Sequence, residues 1–172
     1  ILRKDFEGAQ FTATYQTDAE GDAPQVQASV VFGGGNDTTS WTTIFSYLNR
    51  DALFYADRPF SETADFRSVG GADIRSSAGF PGTVGDPVQG LVEPAQGCGE
   101  LPGTPPDSEP SGAICRLNYN AFINAYPSSE RFSMYNLLEH EISKNVTLYW
   151  DFFWNYNNTR NTAAPAPFFG PY

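Results

Sequence analysis

The sequence predicts an all-β fold: a segment of an antiparallel transmembrane β-barrel, about five strands of it, with one very long extracellular loop. Three observations carry that prediction. Several stretches alternate apolar and polar residues with a period of two, their connections alternate between brief turns and long loops, and one face of the clearest stretch is wholly apolar and aromatic. Soluble sandwiches alternate too, but they seldom keep brief connections at one end and very long ones at the other, as outer-membrane barrels do. Strand length agrees, since about nine to eleven tilted residues cross the apolar band of a membrane.

Residues 1–8 precede the first regular segment, and 9–60 contain the first three predicted strands. From Ala9 to Gln16 every odd position is apolar and every even one polar, which is strand periodicity. After a polar turn, Thr17 to Pro24, alternation returns from Gln25 to Phe32 with Val26, Ala28, Val30 and Phe32 on one face, so the two segments form a hairpin. Gly33-Gly34-Gly35-Asn36-Asp37 reads as a tight connection. The third segment, Ser40 to Asn49, has Trp41, Thr43, Phe45 and Tyr47 at alternate positions, diluted by Ile44 and Leu48.

Residues 61–128 are crowded with Gly, Pro, Ser and Asp and hold neither period, so they read as one long loop without a core. Cys98 and Cys115 both lie in it. They are either two unrelated buried thiols or a disulfide closing a loop of 17 residues, and a loop with nowhere to bury a thiol favours the disulfide and an oxidising compartment. Alternation resumes in 129–157. Phe132, Met134, Asn136, Leu138, His140 and Ile142 share one face, a turn spans Ile142 to Asn145, and then Val146, Leu148, Trp150, Phe152, Trp154 and Tyr156 line one side of the last strand. Residues 158–172 open another loop.

Composition narrows the function. Phe (14), Tyr (9) and Trp (3) argue against disorder, and a net charge of -10 is the wrong sign for gripping nucleic acid. A single His and two Cys are too few for a His or Cys metal cluster, and a Ser-His-Asp site would have to use His140, so neither an enzyme nor a cofactor is expected. Asp18, Glu20 and Asp22 alternate, but the spacing lacks the Gly and Glu of an EF-hand, and no metal site is assigned there. Gly33-Gly34-Gly35 lacks the Lys-Ser/Thr of a phosphate loop. Glu139 and Glu141 flank His140, yet on a strand the His points away from both. Three Asn-x-Thr triplets match chance frequency and carry nothing. The chain opens Ile1-Leu2-Arg3-Lys4 with neither Met nor signal peptide, so a processed or cropped piece of a longer precursor is expected.

Longer motifs carry a family resemblance. Ile1-Leu2-Arg3-Lys4-Asp5-Phe6-Glu7-Gly8 resembles the junction where the plug of TonB-dependent outer-membrane receptors passes into the first barrel strand. Tyr47 to Phe60 is similar to the end of that family's third strand. Cys115-Arg116-Leu117-Asn118-Tyr119-Asn120, with Phe122-Ile123, Pro127 and Glu130 to Tyr135, resembles the disulfide-closed loop re-entering the fourth, and Asn145 to Tyr149 the start of the fifth. The resemblance implies a barrel of about 22 strands, of which this chain supplies five. It further implies energy-coupled import of a scarce ligand (iron-siderophore, saccharide, peptide or similar), location in the bacterial outer membrane, and coupling to the TonB complex through a plug absent here, with a surface lipoprotein as a further partner.

On this view the lipid-facing aromatics are Phe11, Tyr15, Phe32, Trp41, Phe45, Tyr47, Trp150, Phe152, Trp154 and Tyr156. Arg67, Arg75, Phe80 and Tyr119 are candidate ligand contacts in the long loop, whose eight acidic and three basic residues leave it at -5. An anionic ligand would have to rely on Arg67 and Arg75 or on loops elsewhere. The rival expectation is a secreted β-rich module that binds carbohydrate or another ligand on aromatic residues.

Overall fold

The computed structural model describes residues 6–79, 82–86, 91–94, 98, 110–111 and 114–167. The chain divides into two compact units: Ile1–Ala52 with Pro127–Arg160, and Leu53–Tyr126 with Asn161–Tyr172. No α-helix occurs among the described residues, and none is long and apolar enough to cross a membrane, which says nothing of crossing by strands.

The first unit is an open sheet of five antiparallel strands in sequence order: β1 (Gly8–Gln16), β2 (Gln25–Asn36), β3 (Thr39–Arg50), β4 (Ser128–Ser143) and β5 (Val146–Arg160). Pairing brings each strand's apolar set into line. Phe11 lies opposite Val30, Val30 opposite Phe45, Phe45 opposite Met134 and Met134 opposite Trp154. Because facing partners share a side of the sheet, all ten aromatics predicted to face lipid lie on one face. Phe45–Phe132 and Phe132–Trp154 ring centroids are 6.1 and 5.5 Å apart, and Phe32 stacks on Phe45 and meets Trp41 edge-on, giving an aromatic ladder over four strands. At the centre of this face Asn136 donates to Thr43, so two polar groups amid aromatics satisfy each other.

Several boundaries differ from expectation. Gly33 to Asn36 continue β2 and do not form the turn. A Cβ on Gly33 would lie 2.5 Å from the Phe6 carbonyl oxygen and 2.6 Å from that of Trp41, so glycine is there because neighbouring backbones approach closely. The turn is Asp37–Thr38, held by the Asn36 side-chain oxygen, which accepts from the backbone of Thr38 (3.0 Å) and Thr39 (2.9 Å). Likewise the β4–β5 turn is confined to Lys144 and Asn145, since a bulge between Glu141 and Ser143 absorbs Ile142. β5 runs on to Arg160, beyond the expected end at 157.

The long segment is not coreless. Two-residue Leu53–Phe54 pairs with Asn124–Tyr126, Ser76 with Leu117 and Asp65 with Asp73, and 3-10 turns cover Tyr55–Asp57, Arg67–Val69 and Tyr119–Ala121. Ala64, Cys115, Leu117 and Asn118 are buried at its centre. The core is largely polar, which is why no hydrophobic period announces it. Asn118 Nδ2 donates to the Glu62 carbonyl (2.7 Å) while its Oδ1 accepts from Ala64 N (3.1 Å), and Asn120 Nδ2 donates to the Ser61 carbonyl (2.9 Å). Cys98 and Cys115 are joined in a disulfide, with Cα atoms 5.6 Å apart.

Candidate functional site

The face of the sheet opposite the aromatic ladder is built from rows of cross-strand neighbours. At the end bearing Arg50, one row reads Gln16, Gln25, Arg50, Ser129, Thr159; the next Thr14, Gln27, Leu48, Arg131, Asn157; the third Thr12, Ser29, Ser46, Ser133, Asn155. These rows hold amides, hydroxyls, two arginines and no carboxylate. The carboxylates of this face, Glu139, Glu141 and Asp151, sit toward the short-turn end. Charge is therefore sorted along the strand direction, a pattern invisible to strand-by-strand reading because it appears only once the register is set.

A shallow cavity of about 250 Å³ opens in these rows. Gln27, Ser46, Leu48, Arg131, Ser133, Phe153 and Asn155 line it. Ser46 and Ser133 hydroxyls are hydrogen-bonded across β3 and β4 at 2.6 Å. Arg131 Nε donates to Ser129 Oγ and to Asn157 Oδ1, both at 3.2 Å, which tethers the guanidinium beside the cavity. Phe153 is 63% exposed and presents a bare ring.

In the second unit, two Asp-x-Arg turns eight residues apart, Asp65-Phe66-Arg67 and Asp73-Ile74-Arg75, face each other through the Asp65–Asp73 bridge. Arg67 Nε donates to Asp65 Oδ1 (2.8 Å); Arg75 Nε donates to Asp73 Oδ1 (3.0 Å) and its Nη2 lies 3.3 Å from Asp65 Oδ2; Arg116 Nε is 3.4 Å from Asp73 Oδ2. The Arg67 hydrogen bond drives the Asp65 carboxyl well below the usual carboxylate range, and the Arg75 bond lowers Asp73 likewise. Sequence reasoning missed this network, for which the repeated Asp-x-Arg is the signal that could have found it.

Of the predicted ligand contacts, Arg67 and Arg75 meet in this network. Arg75, with a side chain 1% exposed, is held in the network by two carboxylate partners. Arg67 is exposed but grips Asp65, Tyr119 is half-buried in a 3-10 turn, and Phe80 lies outside the described residues. Elsewhere, the carboxylates of Asp18, Glu20 and Asp22 come within 4.8 Å of one another in the β1–β2 turn, where Asp18 Oδ1 accepts from the Glu20 and Asp22 backbone. His140 pairs with Thr39 Oγ1 (2.8 Å) on the aromatic face, with Glu139 and Glu141 on the other.

Fold and site together define an all-β chain with an amphipathic antiparallel sheet and a disulfide-closed companion unit. Comparison with family models, curated proteins and solved structures returns no match.

Proposed function

We propose that the chain is a wall segment of an outer-membrane β-barrel of the TonB-dependent receptor kind, which binds a scarce ligand and passes it inward without bond-making chemistry. The observation that supports this best is the height and edging of the aromatic face. Even positions of β5 from Val146 to Tyr156 are all apolar. They extend about 34 Å along the strand, or about 26 Å along the membrane normal at a tilt of about 40°, against an apolar band of about 25 Å. Tyr47 and Tyr156 share a row at one end of this band, with Tyr15 one row further out, as an interfacial girdle would place them. The opposite face supplies a wet wall. Energy coupling through a plug and the TonB complex, and capping by a surface lipoprotein, belong to the same proposal.

The test is tryptophan fluorescence in liposomes carrying brominated acyl chains. Strong quenching is expected for the protein and a marked loss of it on replacing Trp150 and Trp154 with Phe. A protein that stays monodisperse in buffer without detergent, with no quenching, would instead be a secreted module that buries this face under a second layer.

A further inference from the structure

The cavity on the polar face has a definite chemistry, and we infer that it takes one carboxylated, polyhydroxylated ring, the uronate unit of an acidic oligosaccharide. This rests on the proposal that the polar face lines a wet lumen. A volume of about 250 Å³ falls below the ~300–1,000 Å³ of drug-sized sites, so the cavity holds a single ring of a longer ligand. Its lining offers two amides (Gln27, Asn155) and the Ser46–Ser133 hydroxyl pair as donors and acceptors for ring hydroxyls, with Phe153 as an apolar platform.

Arg131 decides the charge of the ligand. Its Nε is engaged by Ser129 and Asn157, while its terminal nitrogens have no hydrogen-bond or ion-pair partner among the described residues. A guanidinium held in place with its fork unused is suited to bidentate capture of a carboxylate. No carboxylate lies in its row or the rows on either side, so nothing in the sheet competes for it. The loop arginines stand in contrast, because Asp65 and Asp73 already neutralise Arg67 and Arg75. Recognition of an anion therefore falls to the wall and not to the loop.

Calorimetric titration of the detergent-purified protein with trigalacturonate and with its fully methyl-esterified form tests this. The acid is expected to bind at least tenfold tighter, Arg131→Gln to abolish the difference, and Phe153→Ala to weaken both ligands alike. Raising salt from 50 to 500 mM on the unsubstituted protein should shrink the same preference, which keeps the test independent of whether a variant folds. Equal affinity for acid and ester, absence of binding by the acid, or a preference that survives Arg131→Gln or high salt would each overturn the inference. A detergent-requiring protein with any of those results sinks the cavity assignment alone, whereas a protein soluble without detergent sinks the barrel reading beneath it.

Discussion

Arg75, its side chain 1% exposed, stands between two carboxylates, so its charge ties the two Asp-x-Arg turns of the second unit together. Arg75→Met would leave Asp65 and Asp73 facing each other across their bridge with only the exposed Arg67 and the half-buried Arg116 to balance them, which should destabilise this unit. Limited proteolysis should show cleavage within 53–126 accelerating while the sheet stays intact. The pH dependence follows from the same contacts. Both Asp carboxyls are lowered in the folded state, so their contribution is fully present above the ordinary value of about 3.9 and is lost only as pH falls through the lower folded values. The unit should accordingly resist pepsin at pH 4 and yield well below it, and Arg75→Met should move that threshold up. The disulfide gives a second prediction at this scale. Opening the loop costs about 3 kcal/mol, but Cys115 is fully buried and Cys98 is not. Cys115→Ser should therefore destabilise more than Cys98→Ser in urea unfolding followed by alkylation mass.

Among the elements, β5 offers the sharpest separation of the two faces. An arginine placed at Phe152, beside the midpoint of the Val146–Tyr156 band, should cost about 2–4 kcal/mol, while one at Val146, at the band's edge, should cost about 0–1. Asn155→Arg, on the polar face beside Trp154, should be nearly neutral. Urea unfolding in liposomes reads all three, and a flat profile would mean that this face does not meet lipid. β3 shows how far local pattern reaches. Ile44 and Leu48 blurred its alternation, yet pairing puts them on the polar face among Ser46, Ser133 and Arg131, where Leu48 becomes one wall of the cavity. Gly33 to Gly35 misled for the converse reason. Three glycines signal a turn to local propensity, but Gly33 is required by the close approach of Phe6 and Trp41, which only the assembled sheet brings near.

At the scale of the whole molecule, the two units differ in what makes them cohere. The sheet is held by cross-strand pairing of alternate residues, an interaction with a fixed period that leaves its mark on the sequence; the all-β, antiparallel architecture and the membership of each face were legible there because a one-residue slip would invert every side chain. The second unit is held by Asn118, Asn120, the Asp–Arg network and a disulfide, contacts between residues up to 59 apart with no period at all. The same Gly- and Pro-rich composition that suggested an unstructured loop is what lets such a unit fold its backbone tightly, as at Gly79, whose missing side chain makes room for the Cys115 carbonyl. What the sequence determined alone was therefore what repeats along the chain: strand positions, the aromatic face and the short-turn end. Register, bulges, the fate of Arg75 and the cavity around Arg131 were decided only in three dimensions, because each depends on which distant residues the hydrogen-bonded ladder sets side by side.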